Sequence, residues 1–269
     1  GYNSLTMFPK AYFDAQKNVG SVNLTLNSVD GVLRDATDLI SYNDNYYPSL
    51  ALKAYMMANK TNKLTLTNKY IFVDKTGLKI PVFNTNGDIR HKIKFCKFLP
   101  NSEYTHKTYS AIDVINSDRL IKQGKKPIIS PKEFDNKIIF VGANALAVED
   151  VLKTVTATKH PGVDIQATIL DNFLNNQFMT EFNALVNTLT IVLLSAITFA
   201  IIRFMAFLPS LFTLIGVAIL YFIFCIICFN NNLVPIVITP LAVQLSTMIF
   251  GYSYRFILEG RNKEKIKNA

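Results

Sequence analysis

The chain has 269 residues, 50% of them hydrophobic and 17% charged, with a formal net charge of +9. Such a composition excludes a disordered chain, and three cysteines in this length exclude a disulfide-dense scaffold. The basic excess is scattered: 22 Lys and Arg face 16 Asp and Glu up to Thr180, and 6 face 3 beyond it. With no basic stripe interleaved with aromatics, it does not define a nucleic-acid surface.

Taken in chain order, residues 20–26 alternate apolar and polar positions as a half-buried strand does. Val29, Asp30 and Gly31 signal a turn, and residues 32–40 follow as a second strand. Pro48 and Ser49 open a run with helical spacing over 50–58. Residues 70–73 and 78–80 flank Lys75, Thr76 and Gly77, the pattern of a hairpin. Residues 84–88 turn again, 89–95 alternate as a strand, and 109–115 predict a short helix. Residues 137–142, Lys-Ile-Ile-Phe-Val-Gly, form a continuous apolar run that predicts a central buried strand. Pro161 and Gly162 then start a helix whose apolar positions include Val163, Ile165, Ile169, Leu170 and Phe173. Strands mixed with helices around a buried strand predict an α/β or α+β domain over residues 1–180.

Composition changes near Ala184. Residues 184–202, 207–229 and 233–254 contain no charged side chain. Each stretch is long enough, at about 1.5 Å per residue, to cross a hydrocarbon core of about 30 Å. Three spans are therefore predicted, at 184–202, 207–229 and 233–257, and residues 258–269 begin a linker. Arg203 follows the first span, and Arg255, Arg261, Lys263, Lys265 and Lys267 flank or follow the third, whereas the loop at 230–232 is three uncharged Asn. Basic flanks mark the cytoplasmic side, which puts residues 1–180 outside. An exported domain needs an export signal and none stands before Gly1, so an upstream signal anchor is expected.

Within 184–202, 207–229 and 233–254 there is no ionisable Asp, Glu, Lys, Arg or His, so a transport or proton pathway is not indicated. Pro240 is expected to kink the third span, and Gln244 to satisfy a freed carbonyl or a neighbouring helix. Cys225 and Cys228 form a C-x-x-C inside an apolar helix and are expected to face lipid or to pack there, not to form a redox motif. His91, His106 and His160 lie far apart in sequence, with no metal-ligand spacing. No cofactor is expected, and no set of catalytic groups stands out.

Five residues are candidates for ligand contact. Gly142 and Asn144 lie at the carboxyl end of the predicted buried strand, where open α/β sheets place ligands. Asp150, next to Glu149, would meet a cationic ligand or brace its loop. Arg34 would meet an anion or pair with a carboxylate of the domain. The fifth, Gln166, emerges from a family resemblance.

That resemblance is carried by an ordered set: the Gly-Ser-Val-Asn strand at 20–23, Asp30-Gly31-Val32 with Arg34, and Tyr47-Pro48-Ser49-Leu50-Ala51. It continues with residues 138–142, a loop ending at Asp150, residues 161–167, Leu170-Asp171-Asn172 and the trailing apolar segments. Over most of its length the chain resembles the second CHASE family, the extracellular sensory domains of cyclases and histidine kinases. The resemblance implies an anchor helix, an extracytoplasmic sensor, three membrane helices and a cytoplasmic effector. That effector is a class III adenylate or guanylate cyclase, or less often a histidine or serine/threonine kinase. It also implies a homodimer in the cell membrane that receives a small ligand or envelope signal. Where family members commonly carry His in the Pro-Gly-Val helix, this chain has Gln166, which points to a different ligand or none. A ligand-free structural envelope protein is the competing expectation.

Overall fold

The computed structural model describes residues 18–143 and 150–267. They fall into two compact units, one up to Phe178 and one from Met179 onward.

The first unit is built on a four-stranded antiparallel sheet in the order β2-β1-β7-β6. Strand β1 (Asp35–Tyr42) lies at its centre, β2 (Asn45–Pro48) on one edge, then β7 (Asp88–Lys92) and β6 (Phe83–Thr85). The register pairs Ile40 with Tyr47, Ala36 with His91 and Asn84 with Ile89, with a bulge in β1 between Thr37 and Leu39. Hairpin β6–β7 turns through Asn86 and Gly87 in the left-handed region, at φ 55° and 93°; such turns favour Asn and Gly. A second antiparallel sheet holds β3 (Leu64–Leu66), β4 (Tyr70–Val73) and β5 (Lys79–Pro81).

Helix α1 (Leu50–Ala58) forms where the helical spacing predicts it, but its cap is Ser49, whose hydroxyl accepts from the Leu52 N–H. Pro48 ends β2 instead. Helix α2 (Ala111–Lys122) extends well beyond the expected 109–115, and a single 3₁₀ turn follows at Pro131–Phe134. After the short strands β8 (Val151–Leu152) and β9 (His160–Pro161), helix α3 (Gly162–Leu174) packs against α1. Its residues Ile165, Ile169, Leu170 and Phe173 join Leu33, Leu39, Leu52, Tyr55, Ile71 and Ile80 in one continuous core.

Two expectations are corrected here. Residues 137–142 are not a buried strand: they pair with no neighbour, and Ile138, Ile139 and Val141 are 41%, 54% and 88% exposed. The sheet is antiparallel, and its two central places are taken by β1 and β7, so this run has no parallel slot. Residues 20–26 likewise form no ladder, only a bridge from Ser21 to Ser49. The domain is a mixed α and β fold whose helices pack on antiparallel sheets.

The second unit holds α4 (Ala184–Phe204), α5 (Phe207–Asn230) and α6 (Ile238–Lys267), with a two-residue parallel pairing of β10 (Thr180–Glu181) on β11 (Leu233–Val234). Helices α4 and α5 are long and apolar enough to cross a membrane; α6 is not among the helices that meet that condition. The third predicted span starts in β11, and α6 carries Gln244, Ser246, Thr247, Gly251, Ser253 and Arg255. Pro240 falls in the first turn of α6, where no carbonyl four residues back is displaced, so it starts the helix and does not kink it. The Gln244 amide donates to the Leu214 carbonyl of α5 at 3.1 Å. Arg255 donates to the carbonyls of Ile202 and Met205 at 3.2 and 2.6 Å, filling acceptors left over at the end of α4. Cys225 and Cys228 are buried free thiols of α5.

Phe173 is 1% exposed and its ring meets those of Tyr55, His91 and Phe178. Phe173→Ala is expected to destabilise the first unit by about 3–5 kcal/mol, as large-to-small core changes do, read as a fall in its denaturant midpoint.

Candidate functional site

The polar centre of the first unit, called the outer unit below, is the first turn of α3. Asp164 is 3% exposed. Its carboxylate accepts from the Thr105 N–H and hydroxyl, both at 2.8 Å, and from the His106 N–H at 3.2 Å. His106 Nδ1 donates at 3.0 Å and His160 Nε2 at 2.9 Å. Three separate parts of the chain thus converge on one carboxylate: the segment around Thr105, strand β9 and α3. Because a carboxylate only accepts, His160 carries its proton on Nε2 and His106 on Nδ1.

Burial pushes the Asp164 carboxyl up, but the hydrogen bonds from His106, His160 and Thr105 outweigh it and hold the group well below its ordinary value. Its place in the first helical turn acts in the same direction, since unpaired N–H groups and the helix dipole favour an anion there. The hydrogen bond to Asp164 raises His106, against a smaller opposing effect of burial. Thr154 meets His160 Nδ1 at 3.2 Å, Thr168 meets Thr105 at 3.2 Å, and the rings of Phe95 and Phe98 close over His160. His160 is fully buried, while the His106 side chain is 34% exposed, so His106 is the solvent-facing member. Two turns along α3, the Asn172 amide accepts from the Lys94 N–H at 2.8 Å and donates to the Lys94 carbonyl at 2.9 Å.

A second buried pair lies in the sheet. Asp38, at the β1 bulge, meets His91 Nδ1 at 2.7 Å, and both side chains are fully buried. Burial raises the Asp38 carboxyl, and the charge and hydrogen bond of His91 oppose the rise. The outer atoms of this pair, Asp38 Oδ1 and His91 Nε2, have no hydrogen-bond partner.

Among the sequence candidates, three gather at the start of α3. Gly142 lies so close to Val163 that a Cβ would stand 2.6 Å from the Val163 Cβ. Asp150 accepts the Gly162 N–H through its backbone at 2.8 Å, and its carboxylate lies where a Gly162 Cβ would be, at 2.5 Å. Gln166 is 5% exposed; its amide donates weakly to the Val22 carbonyl at 3.5 Å, and its Oε1 has no partner. Arg34 stands apart, forked onto Asp30 at 3.0 and 2.7 Å on the surface. Asn144 lies outside the described residues, as does Glu149.

Sequence reasoning missed His106, His160 and Thr105 as partners of Asp164. Only His160 and Asp164 carried a local signal, four residues apart across the Pro161–Gly162 turn. The described residues hold no group of His, Cys, Asp and Glu suited to a metal, and the His106–Asp164–His160 set is saturated by its own hydrogen bonds. What the arrangement does is lock a loop and a strand to the helix that precedes the second unit in the chain.

The described chain is thus a mixed α and β domain with a buried polar lock, followed directly by two helices long and apolar enough to cross a membrane. The CHASE2 domain pattern matches residues 3–201, and the chain belongs to the CHASE2 family, a sensory extracellular domain of signalling proteins. The match runs through the outer unit into most of α4 (Ala184–Phe204). No curated protein and no solved structure matches the chain.

Because His106 is raised in the fold, its contribution to stability is complete below its ordinary value of 6.5 and is lost as pH climbs through the folded value. Asp164 is lowered, so its contribution is complete above its ordinary 3.8 and disappears only as pH falls through the depressed value. Wild type is therefore expected to lose more urea resistance than His106→Gln between about pH 6 and about pH 9. Superimposable pH profiles of the two proteins would remove His106 from this account.

Proposed function

We propose that this chain is the membrane-bound input region of a bacterial signalling protein whose effector is a class III adenylate or guanylate cyclase. The observation that carries the reading is the CHASE2 match, which spans the outer unit and enters the first membrane helix. Helix α6 supports it as an output element. It runs unbroken from Ile238 to Lys267 and continues past Arg255 into a segment with Arg261, Lys263, Lys265 and Lys267.

The proposed topology has three crossings in the cell membrane. In this reading α6 is the third, held by Gln244 to α5 and by Arg255 to the end of α4. The Arg255 contacts bring both basic flanks to one end of the helices, which is the cytoplasmic end by the positive-inside rule. Residues 1–180 then lie outside. Labelling of cysteine variants with a membrane-impermeant maleimide checks this on a chain freed of its native cysteines. Lys69→Cys is expected to react in intact cells, and Lys267→Cys only after lysis; the reverse pattern would sink the topology.

Class III cyclase sites form between two subunits, so the outer unit and its helices work as a homodimer in this reading. A stimulus acts by favouring one arrangement of the helices over another. Gln166, with its unpartnered Oε1, Asp150 and Gly142 are the proposed sites of ligand influence on the start of α3. The reading is tested on the parent protein by cyclic-nucleotide output with the outer unit present and deleted. Output is expected to change on deletion; identical output refutes the sensory role. A change in protein phosphorylation without cyclic nucleotide reassigns the effector to a kinase.

A further inference from the structure

Away from the Asp164 cluster, the two sheets of the outer unit leave a half-open cleft of about 330 Å³ between them. That volume is at the small end of the about 300–1,000 Å³ usual for ligand sites. Its walls come from both sheets. Phe83 and Asn84 belong to edge strand β6, Tyr46 to the opposite edge strand β2, and Asn68 to the β3–β4 turn. Ile89, paired with Asn84 and 5% exposed, lies at the base. The Val82 N–H donates to the Lys69 carbonyl at 2.8 Å, one step beyond the Tyr70–Pro81 pair of β4 and β5, so the β4–β5 ladder runs on to the start of β6.

The lining chemistry is selective. None of the lining residues is Asp, Glu, Lys, Arg or His, and Lys92, 5.5 Å over the Phe83 ring, is already paired with Asp35, so a charged ligand would give up hydration for little counter-charge. A purely apolar ligand would cover the Asn68 carboxamide and the Asn84 NH2 without pairing them, which is also unfavourable. The Thr67 hydroxyl at the rim is already used, donating to the Tyr70 carbonyl and accepting its N–H. Asn84 Oδ1 accepts the Gly87 N–H at 3.1 Å, which fixes that amide and leaves its NH2 as a donor. Two aromatic rings and two carboxamides remain as recognition groups. A sugar ring matches both, with C–H faces for Tyr46 and Phe83 and hydroxyls for the two amides.

We propose that the cleft between the two sheets is a binding site for a neutral sugar of one or two rings, recognised by Tyr46 and Phe83 and by Asn68 and Asn84. As an input signal this rests on the sensory reading above; as a binding site it does not.

The test uses the full chain in lipid nanodiscs and isothermal titration calorimetry with D-glucose, N-acetyl-D-glucosamine and maltose, and with gluconate as the charged analogue of glucose. At least one neutral sugar is expected to bind saturably, and gluconate is not. Tyr46→Ala and Asn68→Leu are each expected to weaken binding at least tenfold. Tyr46 is 48% exposed and Asn68 is also exposed, so both variants are expected to keep the wild-type thermal midpoint. The proposal is overturned if no neutral sugar binds, if both variants bind with wild-type affinity, or if gluconate binds as tightly as glucose. Absence of binding with a deletion-sensitive cyclic-nucleotide output removes the cleft and leaves the sensory reading. Sugar binding with an output indifferent to the outer unit does the opposite.

Discussion

The outer unit depends on one buried anion. Asp164 lies where the chain enters α3, and its two oxygens take up donors from Thr105, His106 and His160. An uncompensated carboxylate at that depth would be strongly unfavourable, so the charge forces its partners into place. The region around Thr105 and strand β9 have little regular hydrogen bonding of their own. Their positions come largely from this carboxylate and, two turns later, from the two bonds between Asn172 and Lys94. Helix α3 therefore presents two kinds of surface. Ile165, Ile169 and Phe173 bury apolar area in the core, while Asp164 and Asn172 bind irregular backbone that could not otherwise be satisfied.

The glycines and Asp150 explain how so much converges on one helical turn. Gly142 approaches Val163, and Gly162 admits the Asp150 carboxylate, at distances no Cβ would allow. The Pro-Gly-Val sequence is thus a packing requirement as much as a helix start. Its consequence for signalling is positional: α3 is the last helix before the chain passes through Phe178 into the second unit. The Asp38–His91 pair contrasts with the Asp164 cluster, since one nitrogen and one oxygen of the pair are buried without partners. A buried polar atom left unpaired costs about 1–3 kcal/mol. The packing of Phe173 and Phe178 around His91 is what holds that arrangement together.

Much of this was legible from local pattern. Helix α1 and helix α3 were readable because their apolar positions repeat at helical spacing and their starts carry Pro, Ser or Gly. The β4–β5 hairpin was readable from Gly77, whose φ of 73° a side chain would resist. The apolar run at 137–142 misled because periodicity registers hydrophobicity and not the presence of a neighbouring strand. The third span is less legible than the first two: absence of charge is not the same as apolarity, and α6 is diluted by hydroxyls and an amide. The histidine partners of Asp164 were out of reach because 58 residues separate His106 from Asp164.

By itself the sequence determined the long apolar segments after residue 184, the division near residue 180, and the two main helices of the first unit. These depend on composition and on spacing within a single turn or strand, which are local properties. Only the tertiary structure decided which strands pair, which of the apolar runs is buried, and which distant donors meet Asp164. It also decided that β2, β6 and the β3–β4 turn enclose a cleft. Those outcomes depend on contacts between residues far apart in the chain, chosen by the competition to bury apolar area while leaving as few polar groups as possible unpaired.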